Sequence, residues 1–267
     1  MNRPKISSST MLANNADTIH LWFAYVDEIQ NLHLLDRYRS LLTEEERQQE
    51  KRFHFLRDRR RYLVTRALVR TVLSRYADVA PEEWLFASNA YGRPEIANPD
   101  VASKIAFNIS HTKNLIVLGI TFGDTLGVDV ENVGLRDAPL DLASQFFSPN
   151  EVAALVALPP ESQSQRFFQY WTLKEAYVKA RGMGLSIPLD QFEFDFTTDR
   201  HIKFSTNPSL NDSPSRWQFW QFQPSEDHLL AVCAERFDGP KPEFLMRKIV
   251  PLEAEQFINC PMLCASA

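Results

Sequence analysis

Residues 167–184 read FFQYWTLKEAYVKARGMG. Tyr170, Leu173, Tyr177 and Val178 fall at helical spacing and form an apolar stripe, and Gly182 stands where a left-handed residue would end the helix. Glu175 and Lys179 are four residues apart, which puts an acid and a base on one face, roughly 6 Å apart at Cβ, with Trp171 one turn earlier on the same side. A lone pair of this kind reads most simply as a surface ion pair on an amphipathic helix. What surrounds it decides whether it is more.

Working backwards, Ser148, Pro149 and Glu151 make a capped helix start, and LGVDVEN at 126–132 is a strand. Working forwards, FEFDF, WQFWQF and HLLAVCAE (228–235) are strand-like. The first part of the chain has the same order. IHLWFAYV (19–26) is a strand; Thr43 and Glu46 form a capping box; a long helix runs from about Asp58 to Tyr76; WLFAS and YGRPEI flank a turn; IAFNI and LIVLGITF are strands joined across SHTKN. In that helix Val64, Leu68, Val72 and Tyr76 form the apolar stripe, with Arg59, Arg66 and Arg70 on the opposite side. ALVR at 67–70 corresponds to AYVK at 176–179, which sets Arg66 in the place of Glu175. The chain therefore reads as an α+β protein of two similar α/β halves, a pseudo-two-fold internal duplication, each a small antiparallel sheet packed with a long helix. The halves are 18–123 and 124–236, after a disordered leader (1–17) and before a C-terminal extension (237–267). Two such halves form a cleft, a common place for a ligand.

Composition narrows the classes. In 267 residues, 44% are hydrophobic and 12% aromatic, enough for a large core. A net charge of −5 argues against a general nucleic-acid binder, although residues 44–75 carry ten Lys or Arg against five Asp or Glu, which suits a confined anionic partner. Cys233, Cys260 and Cys264 form neither a disulfide framework nor a zinc pattern, the first seventeen residues lack an apolar signal core, and no apolar run is long enough to span a bilayer. A cytoplasmic protein with no membrane association is expected.

Asp129 and Glu131 alternate with Val128 and Val130, so both carboxylates face one side of the strand, roughly 7 Å apart. A solvated strand face is one reading. The other is a Mg²⁺ site, because paired carboxylates repel unless a cation stands between them, and Glu175 would add a third oxygen ligand. FNISH (107–111) ends an apolar strand with Asn108, Ser110 and His111 projecting from the sheet edge, and YGRP (91–94) is a turn bearing Arg93.

Taken in order, YGRP, FNISH, LGVDVE, FFSPNE and WTLKEAYVKARGMGL resemble the motif series of the Sfp-type 4′-phosphopantetheinyl transferases, over roughly residues 19–236. The resemblance implies an enzyme that transfers the phosphopantetheine arm of coenzyme A to a serine of an acyl or peptidyl carrier protein, releasing adenosine 3′,5′-bisphosphate. It implies Asp129, Glu131 and Glu175 as Mg²⁺ ligands, Lys179 as the cation at the departing phosphate, and His111 with Ser110 as phosphate contacts. Arg93 stands where relatives often have lysine, and Arg61 aligns with a basic position opening the long helix. The base for the serine stays open between Glu175, Glu175 through a water, and another group. One departure is visible. Where some relatives place lysines for the 3′-phosphate, this chain has Glu46 and Gln49. The alternative reading is a catalytically silent module that binds carrier proteins or coenzyme A. A chain holding both halves is expected to act as a monomer.

Overall fold

The computed structural model describes Leu12 and residues 17–101, 105–123, 125–135, 137–236 and 241–266. Most of the expected leader, and residues 237–240 and 267 of the expected extension, lie outside the described residues. The first part contains β1 (Thr18–Tyr25), α1 (Leu32–Ser40), α2 (Glu44–Arg52), α3 (Leu56–Leu73), the short hairpin β2 (Phe86–Ser88) and β3 (Pro94–Ile96), β4 (Ile105–His111) and β5 (Leu115–Phe122). The second contains β6 (Leu126–Asn132), α4 (Ala143–Phe146), α5 (Pro149–Val156), α6 (Pro160–Arg181), β7 (Phe192–Thr198), β8 (His201–Thr206), β9 (Trp217–Ser225) and β10 (His228–Glu235). The chain ends in β11 (Glu243–Val250), β12 (Ala254–Phe257) and β13 (Met262–Ser266).

Two larger sheets result, ordered β12-β11-β1-β5-β4 and β6-β10-β9-β13-β8-β7. Pairing within each half is antiparallel. The C-terminal strands add the parallel pairs: β11 lies along β1 with Thr18 opposite Glu243, and β13 lies along β8. Residues 243–266 are thus woven into both sheets, since β13 also pairs with β9.

The apolar runs explain the layering. Trp22 and Ala24 of β1 join Ile116, Leu118 and Ile120 of β5 in packing against α1 and α3, while Ile19, Leu21 and Phe23 turn the other way. There they meet Val128 and Val130 of β6 and Leu230 and Val232 of β10. Leu229, Ala231 and Cys233 point from β10 towards α6. Helix, sheet, sheet and helix therefore stack as four layers. Strands buried on both faces read as continuous apolar runs rather than alternating ones, which is the character of IHLWFAYV and HLLAVCAE. Each large side chain buried here contributes about 1.5–3 kcal/mol.

Both capping boxes form: Thr43 accepts from Glu46 N and Ser148 from Glu151 N, with the glutamates reaching back to the cap amides. Gly182 ends α6 in the left-handed region at φ 65°. One expectation is corrected. Arg70 is not on an exposed face of α3: it is 1% exposed, bonded to Glu46 at 2.9 Å and to the carbonyls of Pro81 and Trp84. Those acceptors offset part of the cost of burial, which still lowers the Arg70 pKa against the pull of Glu46.

Candidate active site

The site grows from the contact of β6 with α6. Gly127 lies directly under the helix, where a Cβ would collide with the carbonyl of Ala176 and the amide of Ala180. Only a strand bare at that position, under a helix with two alanines a turn apart, allows so close an approach. Two and four residues on, Asp129 and Glu131 face the same way as Gly127 and so face α6. Helical spacing places Glu175 and Lys179 above them.

Lys179 does not pair with its helical neighbour Glu175. Its Nζ donates to Asp129 Oδ1 at 2.6 Å and to Ser110 Oγ at 2.9 Å, with the side chain 27% exposed. Asp129 is 5% exposed, and its Oδ2 is buried without a hydrogen-bond partner. Glu175 has its pKa raised from 4.5 to about 7, chiefly by burial and then by the charge of Asp129, with Glu131 adding to the rise and Lys179 opposing it. Three carboxylates thus crowd one spot with one ammonium among them. Among the described residues, no three His, Cys, Asp or Glu side chains are already assembled as a metal cluster. The donor set nonetheless fits a hard divalent cation: it offers carboxylate oxygens, one of them buried and unpartnered, and a second carboxylate driven towards its neutral form by burial and by the neighbouring carboxylate charges.

Ser110 joins the two sheets at this spot. Its hydroxyl donates to Asp129 Oδ1 at 3.0 Å and accepts from Val130 N at 3.2 Å and from Lys179. A hydroxyl has one donor and two acceptor positions, so Ser110 is fully occupied. His111 ends β4 on the exposed rim. Its pKa is lowered, mainly by the protein packed behind the ring and further by Arg61 and Lys179, against the opposing pull of its own backbone and of Asp129. Arg61 is paired with Asp58 at 3.1 Å. Arg93 lies apart from the carboxylates, donating to Ala180 O at 2.9 Å and Leu126 O at 3.3 Å, so that it pins the β2–β3 hairpin to the end of α6. Glu46 is engaged by Arg66 and Arg70 inside the first half.

Two cavities occur elsewhere, about 260 Å³ beside Ser148 and Glu193 and about 470 Å³ beside Phe204 and Trp217. Neither is lined by Asp129, Glu175 or Lys179.

A profile described as the 4′-phosphopantetheinyl transferase superfamily matches residues 125–233, and one described as 4′-phosphopantetheinyl transferase, N-terminal, matches residues 32–121. Over 241 residues the chain is 31% identical to the 4′-phosphopantetheinyl transferase HetI of Nostoc sp., covering 90% of this chain and 96% of that protein. The chain belongs to the Sfp-type 4′-phosphopantetheinyl transferase family. Two further members are similar across most of their length: a Bacillus subtilis 4′-phosphopantetheinyl transferase, 31% identical over 82% of this chain and 93% of that one, and Sfp of Bacillus subtilis strain 168, 30% identical over 81% and 92%. This family member is therefore a transferase. The superfamily match spans Asp129, Glu131, Glu175 and Lys179, and the N-terminal match spans Arg61, Arg93, Ser110 and His111.

Two positions of this transferase were not singled out from sequence. Gly127 was legible as the small residue in a strand that meets Ala176 and Ala180 on the facing helix. Lys174, beside Glu175, was hidden because a lysine reads as exposed, although it falls within the stripe of Tyr170, Leu173, Tyr177 and Val178. It is fully buried, donating to Glu151 at 2.7 Å and to the carbonyls of Leu189 and Phe192. Burial pushes Glu151 up and Lys174 down, and their mutual attraction opposes both shifts.

Proposed function

We propose that this transferase moves the 4′-phosphopantetheine arm from coenzyme A to a serine hydroxyl of an acyl or peptidyl carrier protein, with Mg²⁺ as cofactor. The serine oxygen forms a bond to the β-phosphorus of coenzyme A, the bridging P–O bond breaks, and adenosine 3′,5′-bisphosphate leaves. The observation that supports this best is the Lys179–Asp129 contact beside Glu175, an acid–base–acid arrangement at the junction of the halves.

Asp129, Glu131 and Glu175 would hold Mg²⁺, which when bound neutralises pyrophosphate oxygens and steadies the charge that develops on them. Glu175 is placed to take the serine proton, directly or through water; holding Mg²⁺ weakens it as a direct base, which favours the route through water. Lys179 has three donors and uses two here, which leaves one for the departing phosphate. Ser110 reaches a nucleotide only by giving up bonds it makes within the protein, whereas Arg93 donates to two carbonyls and keeps further N–H donors for a phosphate. The phosphate contacts we propose therefore rest on His111, Arg61, Arg93 and Lys179. Both sides of the site come from one chain, so a monomer suffices. No helix among the described residues is long and apolar enough to cross a membrane. Three buried free cysteines suit the reducing cytoplasm, where we place it.

Glu175→Gln, assayed for coenzyme A binding by calorimetry and for transfer to an apo carrier protein, is the test. Retained binding with transfer lost is expected. Transfer at the wild-type rate would overturn the role given to Glu175, and a wild-type protein that binds coenzyme A but modifies no carrier would favour the silent binding module.

A further inference from the structure

We propose that Asn108 is a positioning residue for the carboxylate strand, setting where Asp129 stands relative to α6. The proposal rests on reading Asp129 as part of the metal-holding group. β4 is the last strand of one sheet and β6 the first of the other, and the two are not paired by backbone bonds. An edge strand leaves every second amide without a sheet partner, and in β6 those amides belong to Val128 and Val130, residues 0% and 1% exposed. They cannot turn to water. Asn108 Oδ1 accepts from Val128 N at 2.9 Å, and Ser110 Oγ accepts from Val130 N at 3.2 Å.

Side chains two apart on β4 thus meet amides two apart on β6, and the common period of the two strands makes the match possible. Gly119, opposite Asn108 on β5, completes it, because a Cβ there would strike Val128 and Leu126 and hold β6 away. The strand is fixed from three directions: by β10 through backbone pairing, by α6 over Gly127, and by Asn108 at its other edge. Ser110 also touches Asp129 and Lys179 directly. Asn108 bonds neither, so it acts on the carboxylates through the strand alone. Without its acceptor, the buried Val128 amide is orphaned, and β6 regains freedom to move away from β4, which shifts Asp129 from its place beside α6.

The experiment compares wild type with Asn108→Ala and Asn108→Asp, the second keeping an acceptor oxygen in place. Three readouts are taken on the full chain: amide exchange of Val128 by NMR, binding of Mn²⁺ to the protein alone, and the Mg²⁺ and coenzyme A dependence of transfer. In the alanine variant, Val128 exchange should rise about fivefold or more, and Mn²⁺ affinity should fall about tenfold, the scale on which partners of metal ligands act. The Mg²⁺ requirement should rise in parallel while KM for coenzyme A stays within about twofold, a split that general loosening of the fold does not produce. The aspartate variant should regain Val128 protection. Should the alanine variant not fold, Asn108→Leu, close to asparagine in shape and without an acceptor oxygen, gives the same readouts. Unchanged Val128 exchange, or unchanged Mn²⁺ affinity, overturns the proposal. If wild type modifies no carrier while exchange and Mn²⁺ binding respond as stated, the proposed reaction fails and the positioning role stands.

Discussion

The two halves use one device and diverge in what they build beside it. In each, the glutamate of a capping box reaches back to close its own helix start and also holds a cation from the long helix: Glu46 holds Arg66 and Arg70, and Glu151 holds Lys174. Both boxes recur 105 residues apart, from Thr43 to Ser148 and from Glu46 to Glu151. That offset sets Trp22 opposite Gly127 and Ala24 opposite Asp129, all four facing a helix. The first half fills the space between strand and helix with an indole, and Arg75 lies over that ring 5.8 Å from its centroid. The second half empties the space with a glycine and lines it with carboxylates. A duplicated scaffold thus carries a packed face in one copy and a charged one in the other, and the choice turns on the residue under the helix.

In the long helices the two clamps Arg70 and Lys174 lie 104 residues apart, one fewer than the boxes, and that match revises the pairing of ALVR with AYVK. Thr71, rather than Arg66, falls at the place of Glu175, and Arg75 at that of Lys179. The first half lacks the carboxylate under either alignment.

The largest test of this contrast is Asp129→Asn against Trp22→Phe. The first should lower transfer by about 10³-fold, the scale on which lost electrostatic stabilisation acts, with the fold retained by circular dichroism; the second should leave kcat/KM within a few-fold. Next is the pair of buried cations. Lys174→Met strands Glu151 at 1% side-chain exposure and should cost about 3–5 kcal/mol in denaturant unfolding. Arg70→Met should cost less, because Arg66 still meets Glu46. Equal losses would mean that Arg66 does not hold Glu46 once Arg70 is gone. Gly127→Ala should cost about 1–3 kcal/mol by overpacking and lower transfer as Asp129 is pushed from α6. The smallest effect belongs to Glu175. Its folded pKa of about 7 lies above the unfolded 4.5, so its contribution to stability is complete below about pH 4.5 and is lost as pH rises through about 7. In metal-free protein, the melting temperature relative to Glu175→Gln should fall over that window; a flat difference would remove the crowding of carboxylates from the account.

Much of this was open to reading from residues. Capped helix starts, the left-handed Gly182 and the doubly buried strands follow local rules, and they emerged where expected. Asp129, Glu175 and Lys179 came together because strand and helix periods place them so. Other features were not local. That Lys179 would turn to Asp129 rather than Glu175, that Arg70 would be buried, and that Asn108 would bond an amide of another sheet depend on contacts 14 to 50 residues apart. The placing of β11 and β13 in two different sheets has no signal in EFLMRKIV or MLCAS beyond apolar density, since partner choice is set by edges left free elsewhere. Helix α1 was missed because LHLLDRYRS is short and lies next to a strand that dominates its surroundings.

The most direct measurement is mass spectrometry of an apo carrier protein incubated with coenzyme A, Mg²⁺ and either wild-type protein or Asp129→Asn. Wild type should add one phosphopantetheine arm to the carrier serine, and the variant none in the same time. No mass gain with folded wild-type protein across fatty-acid, polyketide and peptide carriers, or equal gain with the variant, would contradict the proposed function.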